Sequence, residues 1–540
     1  MPRLRRGEQE DGAPSIKAIP CANMAIVQYK INIKLSLVIF TIFLLLLVAC
    51  QQSISPTPGK ITSVSVLHTN DIHGHLDNMP RLATAVTRIR GESGKDNTLL
   101  LDAGDVFAGS VYFQLYQGQA SLWFMNYLGY DAMCPGNHEF DGGLKTLAEF
   151  VAGAGFRVVS ANLKIPSEKT LNGKITPWVI MEKNGARYGI LGLITDDTAG
   201  ISIHGGDITI DDDITAARRA VSELKKKGIN KIIALTHLGW EADLKLARQV
   251  GDIDIVIGGH THTVPEVYPA VVDEDGSPAL IAQAGDYARY LGRLNVSFDS
   301  TGVVQDWTGS ELVPLGEGIV EDNACAAKLA EYRVPVAKTL GAVIGKTLVD
   351  LDGERANVRS RETNLGNLVA DSMLHQAGDT GTGIAIINGG AIRTSIPAGD
   401  VTLEQAKAVL PFDNYLVAFN LTGEQIVVAL ENGVSQAAEV QGRFPQVAGL
   451  RFVWNPEAKP GSRIVSVEVK KASGYEPINL SATYRVVTNN FLYGGGDGYT
   501  MFATGADFIN FGDTDYQVLA AYITANSPVN PRIEGRIRRQ

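Results

Sequence analysis

Pro135-Gly136-Asn137-His138-Glu139-Phe140-Asp141 places an amide, an imidazole and two carboxylates behind one Pro-Gly turn. Asn137 offers an oxygen to a hard cation. His138 can reach a phosphate oxygen or a leaving group, and Asp141, three residues on, lies within reach to orient it. Alone, the stretch reads equally as a polar, helix-initiating turn, since Asn and Asp also cap helices and hold turns. Residues elsewhere in the chain decide between the two.

Several strand patterns end in residues of the same chemical kind. Residues 63–69 form a β-branched, apolar-rich run ending in Asn70-Asp71-Ile72-His73, and residues 98–101 lead into Asp102-Ala103-Gly104-Asp105. Residues 231–236 end at His237, and 253–257 end at Gly258-Gly259-His260-Thr261-His262. Helical patterns at 121–128 and 214–227 separate strands of this kind. That order predicts an α/β sandwich whose ligands gather beyond the carboxyl ends of the strands. Asp71, His73, Asp105, Asn137, His237, His260 and His262 then bring mixed nitrogen and oxygen donors to one edge. The set suits two divalent metals: a carboxylate can bridge both ions, imidazoles suit Zn, Fe or Mn, and an amide oxygen completes a shell. A lone His is more often a satisfied core residue; His73, His138, His237, His260 and His262 together favour the metal.

The chain of 540 residues, 45% hydrophobic, has room for large buried cores and roughly three domain-sized units. Its net charge of -10 argues against a groove for a nucleic-acid polymer, while a small anion gathered by local Arg stays compatible. Lys30 and Lys34 precede an apolar run over 35–48, about 14 residues and short for a spanning helix. The run closes on Leu47-Val48-Ala49-Cys50, which resembles a bacterial lipoprotein signal with Cys50 as the lipidated residue, so a lipid anchor to an extracytoplasmic membrane face is expected. The alternative is a permanent anchor with an incidental Cys. Translation from Met24 would remove the polar stretch ahead of this signal. Residues 51–60 read as a tether. Beyond the leader only Cys134 and Cys325 remain, too few for a disulfide framework, and Cys134 reads as a small buried residue.

Residues 321–338, rich in Ala, Lys and Glu, read as a connecting helix interrupted near Pro335. The expected division is a leader over 1–50, a tether over 51–60, a catalytic domain over 61–315, a linker over 316–340 and a second domain over 341–540. From Gly341 on, metal-type residues give way to Arg, Gly and aromatic residues. Arg359 opens a segment that runs into an apolar helical pattern. Ile384-Ala385-Ile386-Ile387-Asn388-Gly389-Gly390-Ala391-Ile392-Arg393 is a short buried strand opening into a glycine turn. Glycines let backbone N–H groups approach an anion, and Arg supplies a planar fork for carboxylate or phosphate.

The Asp-x-His, Gly-Asp, Gly-Asn-His-Glu, later His and Gly-His-x-His motifs stand here in order, and the chain resembles the calcineurin-like metallophosphoesterases. With Asn-His-Glu-Phe-Asp and the long C-terminal region it is similar to the 5'-nucleotidase family, including periplasmic UDP-sugar hydrolases. The resemblance implies a four-layer α/β/β/α sandwich followed by an α+β substrate-recognition domain. It also implies that Asp71, His73 and His262 hold one metal, that Asn137, His237 and His260 hold the other, and that Asp105 bridges them. Two divalent ions, Zn, Mn, Fe or Mg, would activate water for in-line displacement at phosphorus. His138 would stabilise the transferring phosphoryl group or protonate the leaving oxygen, with Asp141 behind it. In the second domain the resemblance places Arg359, Asn388, Gly390 and Arg393 in a substrate pocket, Phe412 and Phe491 as plates stacking a nucleobase, and Asp497 on ribose hydroxyls. His68, His75 and Asp102 read as supporting or structural residues, and His204 carries no role.

The expected activity is phosphate release from nucleoside 5'-monophosphates. The same site could serve nucleotide sugars or 2',3'-cyclic nucleotides. A nucleotide-binding lipoprotein without catalysis and a thiosulfate-related hydrolase are the rivals from other classes. The His138–Asp141 pair speaks against the former, Phe412 and Phe491 against the latter. Division of metals and base pocket between two domains implies a rotation at the linker that brings them together.

Overall fold

The computed structural model describes residues 61–107, 110–166, 168–196, 198, 208–273 and 276–540. The apolar leader, Cys50, the tether and His204 lie outside these residues. Among the described residues, no helix is long and apolar enough to cross a membrane.

Alternation along the first strands builds a sandwich. In Thr62–Thr69 and Thr98–Asp102, Val64, Val66, Leu99 and Leu101 point one way, and Leu67 and Leu100 the other. Parallel pairing of these strands continues through Ala132–Met133 and Arg157–Val159, with Tyr290–Phe298 antiparallel on the other flank, in an eight-stranded sheet. A six-stranded sheet contains Ala186–Ile194, Ile232–His237 and Ile255–Ile257 as parallel neighbours. The two sheets face each other through Val66, Leu101, Ile190, Leu235, Ile257 and Leu294, all buried. Helices Met79–Ser93, Gln119–Leu128 and Gly143–Gly153 cover the outer face of the first sheet, and Asp213–Lys226 covers that of the second. The result is the four-layer α/β/β/α arrangement. Burial of each such Leu, Ile or Val contributes roughly 1.5–3 kcal/mol, so packing sustains the fold with Cys134 and Cys325 buried and unpaired.

Helix Asn323–Leu340 follows, capped by the Asp322 carboxylate, which accepts from the Cys325 N–H. It runs through Pro335, where the sequence predicts an interruption. Burial of Leu329 before the proline and Val336 after it holds both halves on the first domain, and this offsets the lost backbone hydrogen bond.

The second domain has a five-stranded mixed sheet in the order Pro445–Ala448, Ile384–Asn388, Thr483–Asn489, Tyr415–Thr422, Ala506–Thr514. Ala385, Ile387, Leu416 and Ala418 pack under helices Asn364–Gln376 and Asp515–Asn526. Ile384, Ile386, Val417 and Phe419 face helix Gly423–Val434 and a four-stranded sheet carrying Phe452 and Trp454. Both sheet faces are covered, as in an α+β domain.

Candidate active site between the two domains

Parallel pairing brings the ends of the strands into line: Thr69 pairs with Asp102, Asp102 with Met133, and His237 with Ile194. The loops beyond these ends converge. Ligand atoms of Asp71, His73 and His262 lie within 4.8 Å of one another, and so do those of Asp105, His237 and His260. The Asp105 carboxylate is 3.0 Å from His237 Nε2 and 3.8 Å from His73 Nε2, so it stands between the two groups. Asn137 Oδ1 is 3.0 Å from His260 Nδ1.

Imidazoles aimed by their second nitrogen are a mark of metal ligands. His237 Nδ1 lies 2.7 Å from the Ala103 carbonyl oxygen, which turns the buried Nε2 inward, toward the Asp105 carboxylate. His262 Nδ1 lies 3.2 Å from Asp286, whose carboxylate also pairs with Arg289. The backbone agrees: Asp71, His73, Asp105, His260 and His262 all stand at φ between 49° and 78°. That left-handed region is costly for side-chain-bearing residues and persists where surrounding structure imposes it, typically at functional sites. Gly136 allows a close approach, because a Cβ there would sit 2.2 Å from Asp105 Oδ1.

The carboxylates of the cluster draw positive charge to it. Burial alone would push His237 and His262 down, yet the neighbouring carboxylates outweigh it and hold both up at about 10: Asp105 then Asp71 act on His237, and Asp71 and Asp286 act on His262. Asp71 is held well below the usual range despite burial, by His262, His73 and His237. His260 falls to about 4, through burial and then His237. Buried carboxylates among imidazoles that hold protons suit divalent ions, which bind with release of those protons.

His138 lies beside this cluster, with Nδ1 2.7 Å from Asp141 Oδ2 and Nε2 4.0 Å from Asp105 Oδ2. Burial lowers its pKa, but Asp141 and Asp105 prevail and raise it to about 9.

Some residues important to the geometry carried no role in the sequence. Glu139, fully buried, accepts N–H bonds from Val106 and Phe107 on Oε1, and from Asp105 and Gly136 on Oε2. It thereby ties the Asp105 loop to the Asn137 turn. Asn70 accepts from Ala284 N and donates to Gly285 O and to Asp71 Oδ2. Two acidic or amide side chains inside the metal motifs themselves were the available signal. Asp102 accepts from Thr69 Oγ1 and Gly104 N, and His68 Nε2 meets the Tyr268 hydroxyl at 2.7 Å, so both brace the strand ends. His75 Nε2 reaches Asp413 of the second domain at 3.2 Å.

A cavity of about 1100 Å³ joins the domains. His73, Asp105, Asn137, His138, His260 and His262 line one end. Arg359, Asn388, Gly390, Arg393, Phe412, Phe491 and Asp497 line the other. Phe412 and Phe491 are 46% and 44% exposed, unusual for Phe, and both line the cavity. The Arg393 guanidinium lies 5.4 Å over the Phe412 ring, and Asn388 Nδ2 donates to Asp497 Oδ2.

Residues 64–264 match the model of the calcineurin-like phosphoesterase family and residues 343–504 that of the 5'-nucleotidase C-terminal domain. The chain is 34% identical to bovine (Bos taurus) 5'-nucleotidase, over 88% of its own length and 90% of that protein's. It is 38% identical to the trifunctional nucleotide phosphoesterase protein YfkN of Bacillus subtilis, matching 90% of this chain but only 35% of that longer protein. Among solved structures, the 5'-nucleotidase precursor from Thermus thermophilus is 41% identical, with a TM-score of 0.61 over 88% of this chain and 99% of that one. The chain belongs to the 5'-nucleotidase family and is a phosphoric monoester hydrolase of nucleotides, with candidate ligand groups for the two divalent metal ions that the family uses.

Proposed function

We propose that this chain releases phosphate from nucleoside 5'-monophosphates. The observation that carries the reading is the shared cavity, in which exposed Phe412 and Phe491 face the same space as His138 and the Asp and His cluster. Asp71, His73 and His262 would hold one ion, Asn137, His237 and His260 the other, with Asp105 between them. When bound, the ions supply Lewis-acid polarisation of phosphate oxygens and an acidified water. The protein does the rest. Phe412 and Phe491 take the base between their faces, Asp497, fixed by Asn388, accepts from ribose hydroxyls, and Arg359 and Arg393 attract the anion along the Gly390 turn. Asp141 accepts from Nδ1–H of His138, so the imidazolium directs its Nε2–H toward the cluster. Asp141 and Asp105 raise its pKa, to about 9, which favours the cation able to stabilise the phosphoryl group or to protonate the leaving ribose oxygen.

A second reading, hydrolysis of nucleotide sugars or 2',3'-cyclic nucleotides at the same site, is supported by the cavity volume of about 1100 Å³, at the large end for a ligand pocket. The name of the Bacillus relative, a trifunctional nucleotide phosphoesterase, supports it as well. Export and anchoring at Cys50 rest on the leader pattern at 30–50. The test follows phosphate release from AMP, UDP-glucose and a 2',3'-cyclic nucleotide by the chain beginning after Cys50, with chelator and with added Mn or Zn. Metal-dependent release from AMP is expected. Binding of AMP without release under any metal would leave a binding protein and overturn the roles of His138 and Asp141.

A further inference from the structure

Tyr415 opens the strand Tyr415–Thr422 of the second domain, yet its ring lies flat on His138 of the first, with centroids 4.3 Å apart and planes 23° from parallel. The side chain is buried, and its hydroxyl has no hydrogen-bond partner. Its backbone is tied to the base pocket. Tyr415 N donates to Asn490 Oδ1 at 3.0 Å, which joins the segment carrying Phe412 to the segment carrying Phe491.

Asp141 fixes one ring nitrogen of His138, and a single hydrogen bond leaves the imidazole free to tilt about that contact. A flat ring against its face removes this freedom. We propose that Tyr415 is a positioning residue that sets the plane of His138, so that the general acid is aligned only when the base-binding segments are seated against the catalytic domain. The proposal rests on the role given to His138 above. It gives the domain arrangement a direct chemical consequence: the second domain contributes a wall of the catalytic site besides holding the nucleoside.

The experiment uses the full chain loaded with Mn and measures kcat and KM on AMP. Tyr415→Phe keeps the ring and is expected to stay within about threefold of the parent, whereas Tyr415→Leu should lose about 10–100-fold in kcat with KM little changed, the cost of misaligning a catalytic group. Metal content and Tm, measured on both, separate this from unfolding; Tyr415→Met repeats the test should the Leu variant fail to fold. The deciding comparison places Tyr415→Leu in a His138→Ala background, where no further loss is expected because Tyr415 acts through the imidazole. An equal loss in both backgrounds, a rise in KM alone, or a Phe variant as poor as Leu would overturn the proposal. Near-parental activity of His138→Ala alone would instead refute the role of His138.

Discussion

Glu139→Gln tests whether the paired metal loops are held by one carboxylate. In the native protein each carboxylate oxygen accepts two backbone N–H bonds, from Val106 and Phe107 on one side and Asp105 and Gly136 on the other. Four donors on two oxygens leave no place for a carboxyl proton. Gln keeps one accepting oxygen and turns an NH2 toward the other two donors. Leaving those two buried N–H groups unpaired costs about 1–3 kcal/mol each. Relief of the buried charge, whose cost is visible in a pKa pushed up to about 7 by burial and then Asp105, offsets part of this. The net expectation is a loss of about 2–4 kcal/mol, which lowers Tm by roughly 5–15 °C for a domain of this size. Calorimetry in chelator reads stability without the contribution of bound metal, and Mn titration should show affinity reduced about 10–100-fold, as for other residues that orient ligands. A Tm within about 2 °C of the parent together with unchanged Mn affinity would refute the reasoning.

Three further outcomes are expected. Replacing Phe412 and Phe491 together with Ala should raise KM for AMP about 30-fold or more, with little change for a small aryl phosphate, since stacking contributes about 1–3 kcal/mol per base; equal effects on both substrates would favour a site not built for a base. Asp141→Asn removes the leading charge that holds the His138 pKa up, so the alkaline limb of kcat should move to lower pH, the acid being lost as pH rises through its pKa; an unmoved limb assigns it to another group. Metal binding should release protons and weaken as pH falls, because His237 and His262, at about 10, must give up protons to bind an ion; calorimetry in buffers of different ionisation enthalpy measures this directly, and zero release would contradict it.

The sandwich was legible because strands such as residues 63–69 and 231–236 announce themselves by unbroken apolar character and end in Asp or His. The parallel register that aligns those ends needs only strand-helix-strand order. Pro335 misled because a local rule was outweighed by burial of Leu329 and Val336, which no window of sequence records. Glu139 stood in the quoted motif but looked like one more acid. Its meaning lies in backbone groups of a loop contributed by another strand. Asp286 and Tyr415 were illegible for the same reason: each acts on a histidine far away in the chain, and pairwise contact between distant loops leaves no periodicity to read.

Asp71, His73, Asp105, His260 and His262 share a left-handed backbone that their own side chains would not select. Such a backbone persists where surrounding structure imposes it, and here the strand ends beneath the loops are that structure. Evolutionary change at such a centre is therefore channelled: an imidazole can be exchanged for an amide or a carboxylate at a fixed position, altering metal preference in one substitution. Insertions or deletions in the same loops would displace several donors at once. Diversity in the lineage should accumulate as exchanges of side chains at positions of constant spacing, with changes of length confined to segments away from the strand ends.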